Sequence, residues 1–217
     1  MAASKLAGKK STDITPRTSP VQGRSRKRAQ QILDVTGRLL ERIGFDDLNT
    51  VVIAKEVGIS VGALYHYFPN KYAIMHAMGM RWLDEIETVL AEYHSWDIES
   101  MPLQDVVSQM IGLNFKVYKK QKAILTLVQA MFSVPELREL DRQHDDMVIS
   151  AIAQIFKRLG INKQLKERVR LAELYHELTH ALFLVMNCTK GEPLKRSQHD
   201  LNVMVCSLLR PYLKSKI

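Results

Sequence analysis

The chain has 217 residues, 46% hydrophobic and 25% charged, with a net charge of +8, enough for one sizeable core or a small domain joined to a larger one. No apolar run approaches the roughly 20 residues that cross a bilayer, and the first residues carry charges, Ser, Thr and Pro where a signal peptide has its apolar segment, so a membrane or secreted protein is not expected. With only Cys188 and Cys206, the expectation is reduced thiols in a cytoplasmic protein rather than a disulfide framework.

Residues 1–23 are rich in Ser, Thr, Pro, Gly and Lys and lack apolar periodicity, which reads as a flexible arm. Basicity concentrates at this end: residues 1–71 hold 12 Lys/Arg against 6 Asp/Glu, and within residues 1–28 only Asp13 opposes Lys5, Lys9, Lys10, Arg17, Arg24, Arg26, Lys27 and Arg28. Such an arm attracts phosphate without regard to sequence. From about Arg24 a helix is predicted, with Ile32, Val35, Leu39, Leu40 and Ile43 as its buried stripe and Gly44 ending it.

The stretch from Asn49 to Phe68 reads as two short helices hinged at Gly58, a residue suited to a left-handed C-cap. Ile53, Val57, Ile59, Leu64 and Phe68 clamp the pair, Asn49 and Ser60 suit the N-caps, and small Ala54 lets the helices cross closely. The outward residues Val61, Gly62, Ala63, Tyr65, His66 and Tyr67 are short or polar-tipped, where a merely solvated helix would carry Lys and Glu. That is the layout of a helix-turn-helix whose second helix enters a DNA groove. A plain helical hairpin in an all-helical core shares the apolar spacing but not this outer face.

Pro69 stops the second helix and Asn70 caps a long one from Lys71 to about His94, striped by Ile74, Met78, Trp82, Ile86, Val89 and Tyr93. Helical periodicity continues over Leu103–Lys119, Lys122–Phe132, Glu136–Leu159, Lys163–Asn187 and Leu194–Leu213, with Pro102, Pro135, Gly160-Ile161-Asn162 and Gly191-Glu192-Pro193 as separators. No strand signature or internal repeat interrupts it. Leu171, Leu174, Leu178, Leu182 and Val185 stripe one of the last two helices, and Leu201, Val205, Leu208 and Tyr212 the other. These stripes suit burial in their own domain or a four-helix interface with a second copy.

Ile53-Ala54, Gly58-Ile59-Ser60, Gly62-Ala63-Leu64-Tyr65-His66-Tyr67-Phe68 and Asn70-Lys71, on three N-terminal helices, together resemble the TetR family of bacterial transcriptional repressors. The motif covers residues 24–75, and the remainder resembles the family in length and helical layout. The resemblance implies an all-α homodimer: a DNA-binding domain over residues 24–70, and a ligand-binding and dimerisation domain over 71–217 whose occupancy releases double-stranded DNA. By position, Ser60, Val61, Gly62, Ala63, Tyr65, His66 and Tyr67 match the recognition helix and its entry. Lys71 matches a phosphate-contacting lysine, and Thr50 a phosphate-touching hydroxyl. Asn49 stands where Thr often caps the second helix, and Tyr72 where an acidic residue often follows the lysine. With Arg24 and Arg26 on the first helix, these form the candidate DNA-contacting set, and His66 is the best base-edge reader within it.

A competing motif, His176-Glu177-Leu178-Thr179-His180, matches the zinc-protease pattern H-E-x-x-H on a helix, with Glu177 placed to activate water. A catalytic zinc needs a third protein ligand, and Phe183 and Met186 stand where the extended metzincin pattern has Gly and His. A zinc-dependent hydrolase is therefore the alternative reading. The preferred reading assigns no catalytic residue, metal ligand or cofactor. For the effector, the family layout points to a largely apolar small molecule among Trp82, Met110, Phe115, Tyr118, Met131, Tyr175, His176 and Phe183, with Phe132 and Phe156 nearby. Residues of these types are more often plain core.

Overall fold

A computed structural model describes residues 13–16, 23–120, 123–161 and 164–213. Among them every regular element is helical: α1 (Gly23–Ile43), α2 (Thr50–Val57), α3 (Val61–Tyr67), α4 (Lys71–Glu92), α5 (Leu103–Lys120), α6 (Ala123–Ser133), α7 (Arg138–Arg158), α8 (Leu165–Asn187) and α9 (Gly191–Leu209). Single 3-10 turns, Tyr93–Ser95, Pro135–Leu137 and Arg210–Tyr212, follow α4, α6 and α9. No described helix is long and apolar enough to cross a membrane.

The caps are local and specific. Asn49 Oδ1 accepts from Val51 N at 3.1 Å and Val52 N at 3.0 Å, Ser60 Oγ accepts from Ala63 N at 3.0 Å, and Asn70 Oδ1 accepts from Ala73 N at 2.9 Å. Each satisfies a donor that the first helical turn leaves unpaired. Gly58 adopts φ 76°, and Ile59 N returns to Ala54 O at 3.0 Å, so the chain reverses between α2 and α3. Ile32, Leu39, Leu40, Leu48, Ile53, Leu64 and Phe68 close into the N-terminal core.

α4 joins that core to the rest. Its N-terminal half packs on α1, where Arg81 Nη1 donates to Asp34 Oδ1 at 2.6 Å, and its later turns pack on α7. α7 lies along α8, α5 packs on α9, and α6 touches both α1 and α7. Arg158, near the end of α7, straps down the segment after α4: it donates to Tyr93 O at 3.0 Å and Trp96 O at 2.6 Å and pairs with Glu99 at 2.8 Å.

Three sequence expectations shift. α1 begins at Gly23, within the expected arm; of that arm, residues 1–12 and 17–22 lie outside the described residues. Within it, Asp13 O accepts from Asn70 Nδ2 at 2.7 Å, a contact to the start of α4 that no sequence periodicity signals. Gly191-Glu192-Pro193 does not separate elements but forms the first turn of α9. Proline is tolerated there because the first turn's N–H groups lack helical partners anyway. α9 also closes earlier than Leu213, at Leu209, ahead of the 3-10 turn containing Pro211.

Candidate nucleic-acid interface and buried histidine cluster

α3 buries Leu64 against the N-terminal core and presents Gly62, Ala63, Tyr65 and His66 to the outside, with Val61 and Tyr67 half-buried. Thr50 Oγ1 and the Tyr65 hydroxyl lie 3.1 Å apart, so the start of α2 and the outer face of α3 form one polar surface. The His66 ring meets Tyr67 edge-on at 5.4 Å between centroids. Arg24 and Arg26 are exposed on the first turn of α1. Lys71 is partly committed inside the protein: its ammonium donates to Phe45 O at 3.2 Å and lies 4.2 Å from the Phe45 ring centroid. Two of its three N–H bonds remain for another acceptor. Asn49 is exposed, but its carboxamide oxygen is taken up in capping α2.

Gly62 has no internal cause. A Cβ built there would meet only Ser60 Oγ, at 3.9 Å, an ordinary contact, and its φ lies outside the left-handed region. The fold would accept alanine, which favours helix over glycine by about 1 kcal/mol. What a bare Cα permits is close approach by something outside the chain.

The second site lies inside the helical body. Tyr118, Tyr175, His176 and Phe183 line a cavity of about 30 Å³ between α4, α5, α7 and α8, together with Asn114, His144, Thr179 and His180. Trp82, Met110, Phe115 and Met131, also expected to line a ligand pocket, do not line it and are packed core: Trp82 stacks on His144 at 4.4 Å and Phe115 meets Phe183 at 5.4 Å. Phe156 is core as well, edge-on to Tyr175, while the side chain of Phe132 lies outside the described residues. A more open groove of about 660 Å³, lined among others by Leu90, Tyr93, Ala151 and Ile155, shares Leu90 with the small cavity.

Beside the small cavity Asp145 Oδ1 sits 3.0 Å from His144 Nδ1 and 3.1 Å from His176 Nε2, the two imidazoles being part of the wall. His180, one turn beyond His176, places Nδ1 2.7 Å from the Tyr118 hydroxyl. Burial alone would raise the Asp145 pKa, but hydrogen bonds and charge from the two imidazoles outweigh it and hold the carboxyl well below its usual range. Burial lowers His144 and His180, and raises Tyr118. The fully buried Tyr175 hydroxyl faces Asn114 yet meets no partner at hydrogen-bonding geometry.

This geometry takes the H-E-x-x-H motif apart. Its two histidines turn to different partners, their ring centroids 6.2 Å apart, and Glu177 is exposed rather than aimed at a metal-bound water. No hydrolytic centre assembles around them among the described residues. The sequence reading missed His144 and Asp145. A signal existed, since Leu140, His144, Val148 and Ile152 run at four-residue intervals along the buried face of α7, with one imidazole set among aliphatic residues.

Family models match both the N-terminal and the C-terminal part of the chain. Residues 32–78 match the family described as bacterial regulatory proteins, tetR family, and residues 102–209 match the tetracyclin repressor-like C-terminal domain. The HTH-type transcriptional regulator BetI of Stenotrophomonas maltophilia is 29% identical over 148 residues, 64% of this chain and 72% of that one. Two crystal structures superpose with a TM-score of 0.67. A transcriptional regulator from Saccharomonospora viridis in complex with choline is 20% identical, the match covering 83% of this chain and 96% of that one. A TetR-family regulator from Mesorhizobium loti is 14% identical, covering 89% and 100%. At those identities the structures establish the shared fold.

Proposed function

The chain belongs to the TetR family of bacterial regulatory proteins and is a DNA-binding transcriptional regulator, and we propose that it acts in the cytoplasm as a homodimeric repressor released from a palindromic operator by a small, largely apolar effector. In this reading residues 24–70 bind DNA, and residues 71–217 dimerise and take the effector. The exposed face of α3 carries the proposal, above all Gly62, whose missing side chain serves no contact within the protein. Tyr65, His66 and Thr50 then reach the groove while Arg24, Arg26 and Lys71 neutralise phosphates.

Dimerisation is supported by the outer faces of α8 and α9. Leu174 and Val185 on α8 and Val203 and Met204 on α9 are 44–58% exposed, although Leu171, Tyr175 and Phe183 of α8 face the core. A lone protomer leaves these side chains in water, and a second copy would bury them in a four-helix interface. For the effector, the groove of about 660 Å³ has the volume of an organic-ligand site, whereas the cavity of about 30 Å³ does not.

Selection of bound sites from a random DNA library, followed by footprinting and sedimentation, tests the proposal. The expected result is an inverted repeat protected by a dimer, its half-site centres one helical turn of roughly 34 Å, or a multiple of it, apart. Protection of a single half-site by a protein that sediments as a monomer would overturn it.

A further inference from the structure

The family reading leaves unexplained why two imidazoles from the wall of a small cavity meet at one half-buried carboxylate beside it. His144, Asp145 and His176 each offer one ligand atom within 4.8 Å of the others', with His144 buried and the other two half-buried. The two edges meeting at Asp145 are 3.0 and 3.1 Å. A tetrahedral ion bound at about 2.0–2.1 Å needs its donor atoms roughly 3.3–3.4 Å apart, so those two edges are within a few tenths of an ångström of the requirement. The remaining edge, between the imidazoles, is within 4.8 Å.

Cavity size points the same way. About 30 Å³ admits one or two waters, or an ion with a water, and excludes an organic molecule. The cavity is also polar in a way that its packing does not use, since the Tyr175 hydroxyl on its wall is fully buried without a hydrogen-bond partner. Such a donor suits a water or hydroxide held on an ion.

We propose that His144, Asp145 and His176 bind a divalent d-block ion of the zinc(II) class, leaving its fourth position to a water in the cavity lined by Tyr175 and His180. Two nitrogens and one carboxylate oxygen are the borderline donor set that zinc, cobalt and nickel accept; magnesium and calcium require more oxygens than this wall supplies. Ligation would tie α7 to α8 directly beneath Trp82 of α4, which stacks on the His144 ring. Glu177 takes no part, so the site is distinct from the hydrolytic motif that shares His176. The proposal stands apart from DNA recognition and is tested on the free protein.

The test uses the full chain, stripped by chelator and titrated with cobalt(II), then zinc(II). One cobalt per protomer should bind with the visible absorption of a four-coordinate ion, and zinc should displace it. Asp145→Asn keeps the shape and most hydrogen bonds of the side chain but should weaken cobalt binding by more than about 100-fold, as should His176→Gln, because either removes one of three protein ligands. His199→Gln, at an exposed position on α9, should leave it unchanged. Circular dichroism of the metal-free variants separates lost ligation from lost folding. X-ray absorption of the zinc-loaded wild type needs no variant, and should show an all N/O shell containing two imidazoles. A wild type that takes up no cobalt at millimolar concentration, binding retained in folded Asp145→Asn, or a zinc shell with a different imidazole count would each overturn the proposal.

Discussion

In the N-terminal unit a methyl group added at Gly62 would meet only Ser60 Oγ, at 3.9 Å, whereas in the helical body one added at Gly79 would lie 2.0 Å from Leu140 Cδ2. Both glycines sit inside helices with ordinary φ, so backbone geometry demands neither. Gly79 is small because α4 and α7 cross closely there, a requirement imposed within the protein. Gly62 is small without any such requirement, and the protein forgoes helix stability to keep it so. The pair teaches that in the body a missing side chain serves packing, while on the outer face of α3 nothing among the described residues calls for it, which is what the proposed DNA-facing role would account for.

Three substitutions sharpen or break this contrast. Gly79→Ala has the largest expected effect, forcing Leu140 out of a packed core at a cost of about 1–3 kcal/mol. Thermal or denaturant unfolding measures it, while DNA preference of the folded fraction should stay as it was. An unchanged midpoint would mean that the α4–α7 crossing relaxes freely. His66→Ala should show the reverse: little change in stability, and a loss of roughly 1–3 kcal/mol in binding to the selected site with relaxed preference at one base position. Equal weakening on selected and random DNA would reduce His66 to a positioning role. Gly62→Ala is the smallest and most diagnostic. It should raise stability by about 0.4–1 kcal/mol, yet weaken binding to the selected site about tenfold, or ~1.4 kcal/mol. A variant both more stable and equally tight on DNA would remove the external reason for the glycine.

How much was legible in the sequence follows the same division. Asn49, Ser60, Asn70 and Gly58 act within a few residues of themselves, through caps and a left-handed turn, so the order of the side chains announces them. Helices α1 to α9 were readable for a related reason, because each buried stripe repeats along its own element. The cavity was not. His144 and Asp145 reach His176 from a different helix, and the sequence holds no record of which turn of α7 faces which turn of α8. H-E-x-x-H, the alternative reading, puts two histidines on one face, but the packing of α5 and α7 gives each a different partner. Trp82 and Phe115 are buried, and the sequence could not tell core from pocket wall there, because an aromatic stripe looks alike whether its neighbours fill the space beside it or leave it open. Gly191-Glu192-Pro193 misled because those residues stop a helix and start one equally well.

The Trp82–His144 stack also gives the molecule an optical property. The chain has two tryptophans. One of them, Trp82, is 1% exposed, with its ring centroid 4.4 Å from an imidazole and its indole N–H unpartnered. Imidazole quenches indole emission at contact, and more strongly when protonated, so the brightness and wavelength of Trp82 report the electronic state of His144. Trp96, half-exposed after α4 and edge-on to Tyr93, emits from a separate environment and serves as an internal reference. With Trp96→Phe the remaining signal comes from Trp82 alone, and an event at the wall of the cavity can be followed in real time without attaching a dye.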